Sequence, residues 1–318
     1  MMDEHALRWL LLGAIGSVGL IFAAVFVAGL RRRASEQSGL RIQPSGAELA
    51  TGFVTVFFDT LGIGSFATTT AIFRAMRLVP DELIPGTLNV GHTIESVLSA
   101  FVFINLVPVA PVTLISMVVA SALGAWFGSG VVAQLPRQRI RYGMGVALTV
   151  AATLMLMSQL RLLPSGGEAM GLQGGWLIFA VACNFVLGSL MTLGIGLYAP
   201  CMIVVCLLGM NPKAAFPIMM GSCAGLMPMA AVRFVRADRY SPSAATGLTL
   251  GGIPALFIAA YLVKSLPLDA IRWLVIVVVL YTAATLIRAA LKDRALALQQ
   301  PEEVLPDPRA SVPEDPTA

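Results

Sequence analysis

The stretch Asp59-Thr60-Leu61-Gly62-Ile63-Gly64-Ser65-Phe66 decides the reading of this chain. Two glycines two residues apart interrupt an otherwise apolar run. Each lowers helix propensity by about 1 kcal/mol and admits backbone angles that other residues avoid. Residues 48–79 as one helix would make a rod of about 48 Å, against a hydrocarbon core of about 30 Å. Broken at the glycines, each piece is only about 21 Å long and cannot cross alone. The spacing therefore predicts a re-entrant hairpin whose tip lies inside the membrane, where its free backbone groups must line a cavity or be covered by protein. The half-helix that starts at such a tip presents unpaired N–H groups and a positive dipole end, which suits an anion.

The pattern recurs. Leu193-Gly194-Ile195-Gly196 follows Leu61-Gly62-Ile63-Gly64 at an offset of 132, and Pro212 and Pro217 follow Pro80 and Pro85 at the same offset. Ala67 with Ala199, and Phe53-Val54 with Phe185-Val186, keep that register. A constant long offset is the mark of an internal duplication, the common architecture of secondary transporters. A lone Gly-x-Gly would read as a packing kink; its repetition favours a functional element in each half.

These residues carry a resemblance. The duplicated Leu-Gly-Ile-Gly, the trailing prolines and the surrounding hydropathy resemble the TauE/SafE family of sulfite and organosulfonate exporters over roughly residues 48–290. The family's usual tip reads Gly-Ile-Gly-Gly-Gly, whereas here the second glycine is followed by Ser65-Phe66 in one half and Leu197-Tyr198 in the other. The resemblance implies a transporter, an exporter, of a small sulfur-containing anion such as sulfite or an organosulfonate. An anion channel or an uptake permease for a sulfur oxyanion are the alternatives.

Composition agrees with the membrane class: 57% of residues are hydrophobic and 12% charged. The net charge of +4 is informative only through where the basic residues fall relative to the spans, and it gives no reason to expect nucleic acid. Cys183, Cys201, Cys206 and Cys223 lie in apolar stretches without Cys-x-x-Cys spacing and read as buried free thiols, with Cys223 as packing. Methionines such as Met227 read as adaptable filler. No phosphate loop, metal-ligand spacing or Ser-His-Asp arrangement is present, so neither an enzyme nor a cofactor is expected.

The expected fold is an all-α polytopic membrane protein with two inverted repeats, each a Gly-broken re-entrant hairpin plus three transmembrane helices, and one extra N-terminal helix. Residues 1–33 form that helix, 34–47 a linker, 48–160 the first repeat, 161–175 a connecting loop, 176–294 the second repeat and 295–318 a disordered tail rich in Pro, Glu and Asp. Spans are expected at 7–30, 84–107, 111–133, 139–160, 215–233, 244–263 and 270–291. With both hairpins re-entrant, Arg31 to Arg33, Arg74, Arg77, Arg137 to Arg141 and Arg233 to Arg239 gather on the cytoplasmic side of a bacterial-type inner membrane, with the N-terminus outside. Residues 176–193 could also just reach across if tilted.

Polar residues inside the membrane are costly and so become site candidates. Gly62, Gly64, Gly194 and Gly196 form the tips. Ser65, Thr68 and Thr69 open the first half-helix with hydroxyl donors, against a reading as local capping. Asn89 and His92 share a polar helical face with Ser96 and Ser99, and Ser222 faces them from the second half. Tyr198 offers a phenol at the second tip. Asp59, His92 and Glu95 are candidates for coupling, with a proton or a sodium ion. Asp59 attracts notice because an acid at the C-terminal end of a half-helix meets the negative dipole end. The remaining expected partners are the lipid bilayer and a second copy of the chain.

Overall fold

The structure, a computed structural model, describes residues 4–36, 41–60, 64–162, 167–194 and 196–262, with 280, 283, 284, 287, 288 and 291. These residues form α1 (Glu4–Glu36), α2 (Gly46–Thr60), α3 (Ser65–Ala75), α4 (Ile84–Gly91), α5 (Thr93–Leu106), α6 (Pro111–Val132), α7 (Arg137–Gln159), α8 (Gly174–Met191), α9 (Tyr198–Leu207), α10 (Pro212–Arg236) and α11 (Pro242–Leu262). A 3-10 turn at Asp81–Leu83 leads into α4, and the described residues contain no strand beyond an isolated bridge between Ala169 and Met210. The chain is an all-α, multi-pass membrane protein. Among the described residues α1, α6, α8, α10 and α11 are long and apolar enough to cross a bilayer, and the bent pair α4–α5 makes up to six such spans. The expected span at 270–291 and the tail at 295–318 fall almost wholly outside the described residues.

Helix starts follow local chemistry. Pro111, Pro212 and Pro242 each open a helix, where the missing N–H is no loss. The run Ser45-Gly46-Ala47-Glu48 makes a capping box at the head of α2: the Glu48 amide donates to Ser45 Oγ at 3.3 Å and the Ser45 amide to Glu48 Oε2 at 2.6 Å. The same carboxylate accepts from Arg41 at 2.9 Å and, through Oε1, from Ser243 of α11 at 3.0 Å. A cap thus becomes a tie between α2 and a helix about 200 residues away in sequence.

Helix α10 is the centre of the bundle, packed against α1, α4, α5, α6 and α9. The other extensive pairings are α2 on α11 and α8 on α6. Both seams are cleared by glycine: a Cβ on Gly251 would collide with the Leu49 carbonyl, and one on Gly124 with the Phe185 carbonyl. Small residues let backbones approach closely, which is how helices associate in lipid.

The helices keep the register of the sequence. Shifted by 132, α2 and α3 end at 192 and 207 where α8 and α9 end at 191 and 207; α5 and α6 end at 238 and 264 where α10 and α11 end at 236 and 262. One expectation is corrected. Residues 84–107 are two helices, α4 and α5, bent by 40° at His92. The break places His92 at a junction, so Asn89 and Ser96 do not share one straight face with it.

One end of the bundle is basic and laced by ion pairs. Arg32 meets Asp238 at 2.9 Å, Arg74 and Arg141 share Asp81 at 2.8 and 2.7 Å, and Arg239 donates to the Leu135 carbonyl at 3.3 Å. At the opposite end the backbone of the 167–173 segment is pinned to the starts of α6 and α10, through Ala110 N–H to Met170 O and Asn211 N–H to Ala169 O.

Candidate functional site

Both glycine breaks are real interruptions. Helix α2 stops at Thr60 and α3 begins at Ser65; Gly64 has φ +87°. Residues 61–63, and with them Gly62, lie outside the described residues, as does Ile195. Helix α8 stops at Met191 and α9 begins at Tyr198, with Gly194 at φ +97° in the turn between. A positive φ is strained for any residue with a Cβ, so glycine is what allows both turns.

The starts of α3 and α9 converge on one side chain. Asp59, at the end of α2, turns its carboxylate across the break. Oδ1 accepts from the Ser65 amide at 2.5 Å, and Oδ2 accepts from the Tyr198 hydroxyl at 2.9 Å. Sequence position alone sets this acid beside the negative end of α2, which is unfavourable. Instead the carboxylate caps the positive end of α3, where an anion is stabilised. Asp59 is 3% exposed. The Tyr198 oxygen is also 2.9 Å from Met220 Sδ.

Behind this pair stand His92 and Glu95. His92 bridges them to α3, with Nε2 3.1 Å from Thr69 Oγ1 and Nδ1 3.2 Å from Glu95 Oε1. The Phe66 ring lies 6.0 Å from the imidazole, centroid to centroid. Glu95 is 1% exposed, and its carboxylate faces the imidazole and the neighbouring Ser96.

A cavity of about 10 Å³ lies between the two tips, lined by Asp59, Gly64, Ser65, Ser96, Gly196 and Tyr198 together with Met191, Cys223 and Met227. That is about the space one water needs, and too little for a sulfonate. The tips touch through the Tyr198–Asp59 hydrogen bond and leave no room between them for such an anion.

Of the residues singled out from the sequence, Asp59, Gly64, Ser65, Gly196 and Tyr198 line the cavity, and Thr69, His92 and Glu95 form the layer behind it. Thr68 turns to the backbone, donating to the Gly64 and Ser65 carbonyls at 3.1 and 2.9 Å. Asn89 donates to the Pro85 carbonyl at 2.8 Å, leaving its own Oδ1 buried without a partner. Ser222 accepts from Asn184 at 2.8 Å in the seam between α8 and α10. Gly194 shapes the turn and is not among the lining residues.

Met191, Met227 and Cys223, which the sequence marks only as filler or packing, line the cavity as well. Ser96 donates to Met227 Sδ at 2.9 Å, and Cys223 Sγ lies 3.9 Å from Met191 Sδ. The repeat offset could have found the two methionines, since 59 + 132 = 191 and 95 + 132 = 227. All four cysteines are free thiols, and the described residues hold no group of three or more acids, histidines or cysteines fit for a metal ion. What the arrangement can do chemically is hold one negative charge between two helix starts and exclude water around it. In comparisons with protein-family models, curated proteins and solved structures, the chain matched none.

Proposed function

We propose that this protein carries a small sulfur-containing anion, sulfite or an organosulfonate, across the membrane as an exporter of the TauE/SafE type, by alternating access. The observation that carries the reading is the convergence of the α3 amide end and the Tyr198 hydroxyl of α9 on one buried carboxylate. Two broken helices that aim donors at the same negative charge make an anion site at the join of two halves. The class of anion follows from the family resemblance, not from the donors.

In this reading the two halves are inverted repeats, and α2–α3 and α8–α9 are re-entrant hairpins entering from opposite faces. The shared offset of the helix bounds supports it. So does the exchange of partners, in which each hairpin's first arm packs on the other half's scaffold: α2 on α11 and α8 on α6. The length of α8, enough to span, is accommodated by a tilted first arm. The cytoplasmic face is then the basic end held by Asp81 and Asp238, with the N-terminus of α1 outside. A cavity with room for one water favours a carrier, which closes around its cargo, over an open channel.

The test is flux in proteoliposomes of purified protein loaded with sulfite, sulfate, thiosulfate or methanesulfonate. Saturable flux of a sulfur oxyanion is expected, with competition among the anions accepted. Unsaturable conductance would make the protein a channel, and no movement of any anion would remove the reading.

A further inference from the structure

In an anion carrier, the proposed function on which this inference rests, the position of Asp59 poses a problem. The two donors that would hold the substrate are already taken by a charged side chain of the protein itself. Ser65 N–H and Tyr198 O–H bind opposite oxygens of one carboxylate, in a cavity with no room for a second anion. Two anions on the same two donors would repel at a few ångströms in a medium far less polarisable than water, a cost that grows steeply as the local dielectric falls.

Among the described residues the surroundings give no compensating cation. From the α4–α5 junction and α5 the site is faced by His92 and Glu95, from α9 by the Tyr198 phenol, and from α10 by the Cys223 thiol. Helix α11, packed on α2, carries no acid, base or thiol in its sequence, and its one phenol, Tyr261, lies at its far end. Of these groups only His92 can become a cation, and its ring nitrogens already face Thr69 and Glu95.

We infer that Asp59 is the proton carrier of the transport cycle: a substrate anion takes over the Ser65 amide and the Tyr198 hydroxyl when the Asp59 carboxylate picks up a proton and lets them go. The step balances. A proton from the aqueous side to which the site is open adds to one Asp59 oxygen, the two hydrogen bonds break, and they re-form to two oxygens of the incoming anion. The site holds one negative charge before, as carboxylate, and one after, as a monoanion beside a neutral acid. Empty and loaded forms therefore meet the same electrostatic barrier on moving, and the cargo is one proton with one monoanion. The favoured ligand class is a monovalent oxyanion with at least two acceptor oxygens, such as a sulfonate or bisulfite. In a 1:1 symport a tenfold anion gradient is balanced by about one pH unit, so export proceeds whenever the outward anion gradient exceeds the inward proton gradient.

Methanesulfonate is the probe, since it stays ionised throughout the working pH range and brings no proton of its own. In proteoliposomes with a trapped pH dye and no initial pH difference, an inward methanesulfonate gradient should acidify the lumen by one proton per anion. The rate should not respond to a potassium-diffusion potential of either sign. Asp59→Asn keeps an acceptor for the Ser65 amide without a charge. It should bind methanesulfonate with the same affinity from pH 5 to 8, whereas wild-type affinity falls up to tenfold per unit as pH rises, and its flux should carry current. Glu95→Gln should still acidify the lumen. Wild-type flux that carries current without acidification overturns the inference while leaving an anion carrier in place, and that measurement needs no variant to fold. A Glu95→Gln variant that loses coupling while Asp59→Asn keeps it would move the proton to Glu95. Wild-type protein that moves no anion at all sinks the functional reading itself.

Discussion

The two hairpin tips share a backbone plan and differ in chemistry. Positions 59, 65, 92 and 95 carry Asp, Ser, His and Glu; the positions 132 further on carry Met191, Leu197, Ala224 and Met227. Both halves keep a glycine at positive φ and a short helix starting just beyond it. Only the first keeps ionisable groups at these positions, and the second answers with thioethers whose residues border the same cavity. The lesson is that the break in the helix is needed twice and the charge once. A buried carboxylate is costly even when well bonded, and a second set would face the first across a space of about 10 Å³.

Making the halves alike should be the harshest way to test this. Met227→Glu adds an acid against Asp59 and Glu95, and the expected outcome is loss of folded protein, a destabilisation of about 3 kcal/mol or more. Fluorescence size-exclusion and thermal unfolding in detergent would read it. The mirror change, Glu95→Met, removes a buried carboxylate that faces the His92 ring and should hold or raise the melting temperature. Equal destabilisation by both would mean that the asymmetry is only packing.

Tyr198→Phe is milder, because it removes one donor to Asp59 and leaves the ring in place. Anion affinity should fall about tenfold, the effect of one hydrogen bond to a charged group, with little change in unfolding temperature. Unchanged affinity by isothermal titration would take the second tip out of the site. The smallest change is expected from His92→Gln, which can still face Thr69 and Glu95 with a donor and an acceptor. It should cost about 1 kcal/mol, a few degrees in melting temperature, and leave the pH dependence of methanesulfonate affinity where it was. A flattened profile would make His92 the titrating group and shift the contrast between the halves from position 59 to position 92.

Much of the architecture can be read from the residues because its causes are local. Glycine pairs at 62/64 and 194/196, prolines at the heads of α6, α10 and α11, and a Ser-x-x-Glu box before α2 each mark a boundary through the chain's own geometry. The bend at His92 is marked only by the lone Gly91 before it, without a proline or glycine pair, and it arises where α4 and α5 pack on α10 and α11. The site is legible as a set of polar residues and not as a set of bonds. Asp59 is visible as an acid at a helix end, but its partner Tyr198 is 139 residues away in sequence. Its turn from the negative end of α2 to the positive end of α3 depends on how the chain folds back. Thr68, Asn89 and Ser222 show the converse, since each has a nearer carbonyl or amide to satisfy it.

The exchanged seams make the order of synthesis matter. When α8 leaves the ribosome, its partner α6 is already in the membrane, and the glycine-cleared seam between them can close at once. Helix α2 has no such partner waiting, because the chain that packs against Gly52 begins with Gly247, 195 residues later (247 − 52). At translation rates of about 5–20 residues per second that is an interval of roughly 10–40 s. Through it the first hairpin, with Glu48, Thr51, Thr55 and Asp59 on the faces it will bury, must be held by lipid headgroups, water or an insertase. The first hairpin made is the last to be sheltered, so the polar half of the candidate site is assembled only once α11 has been made.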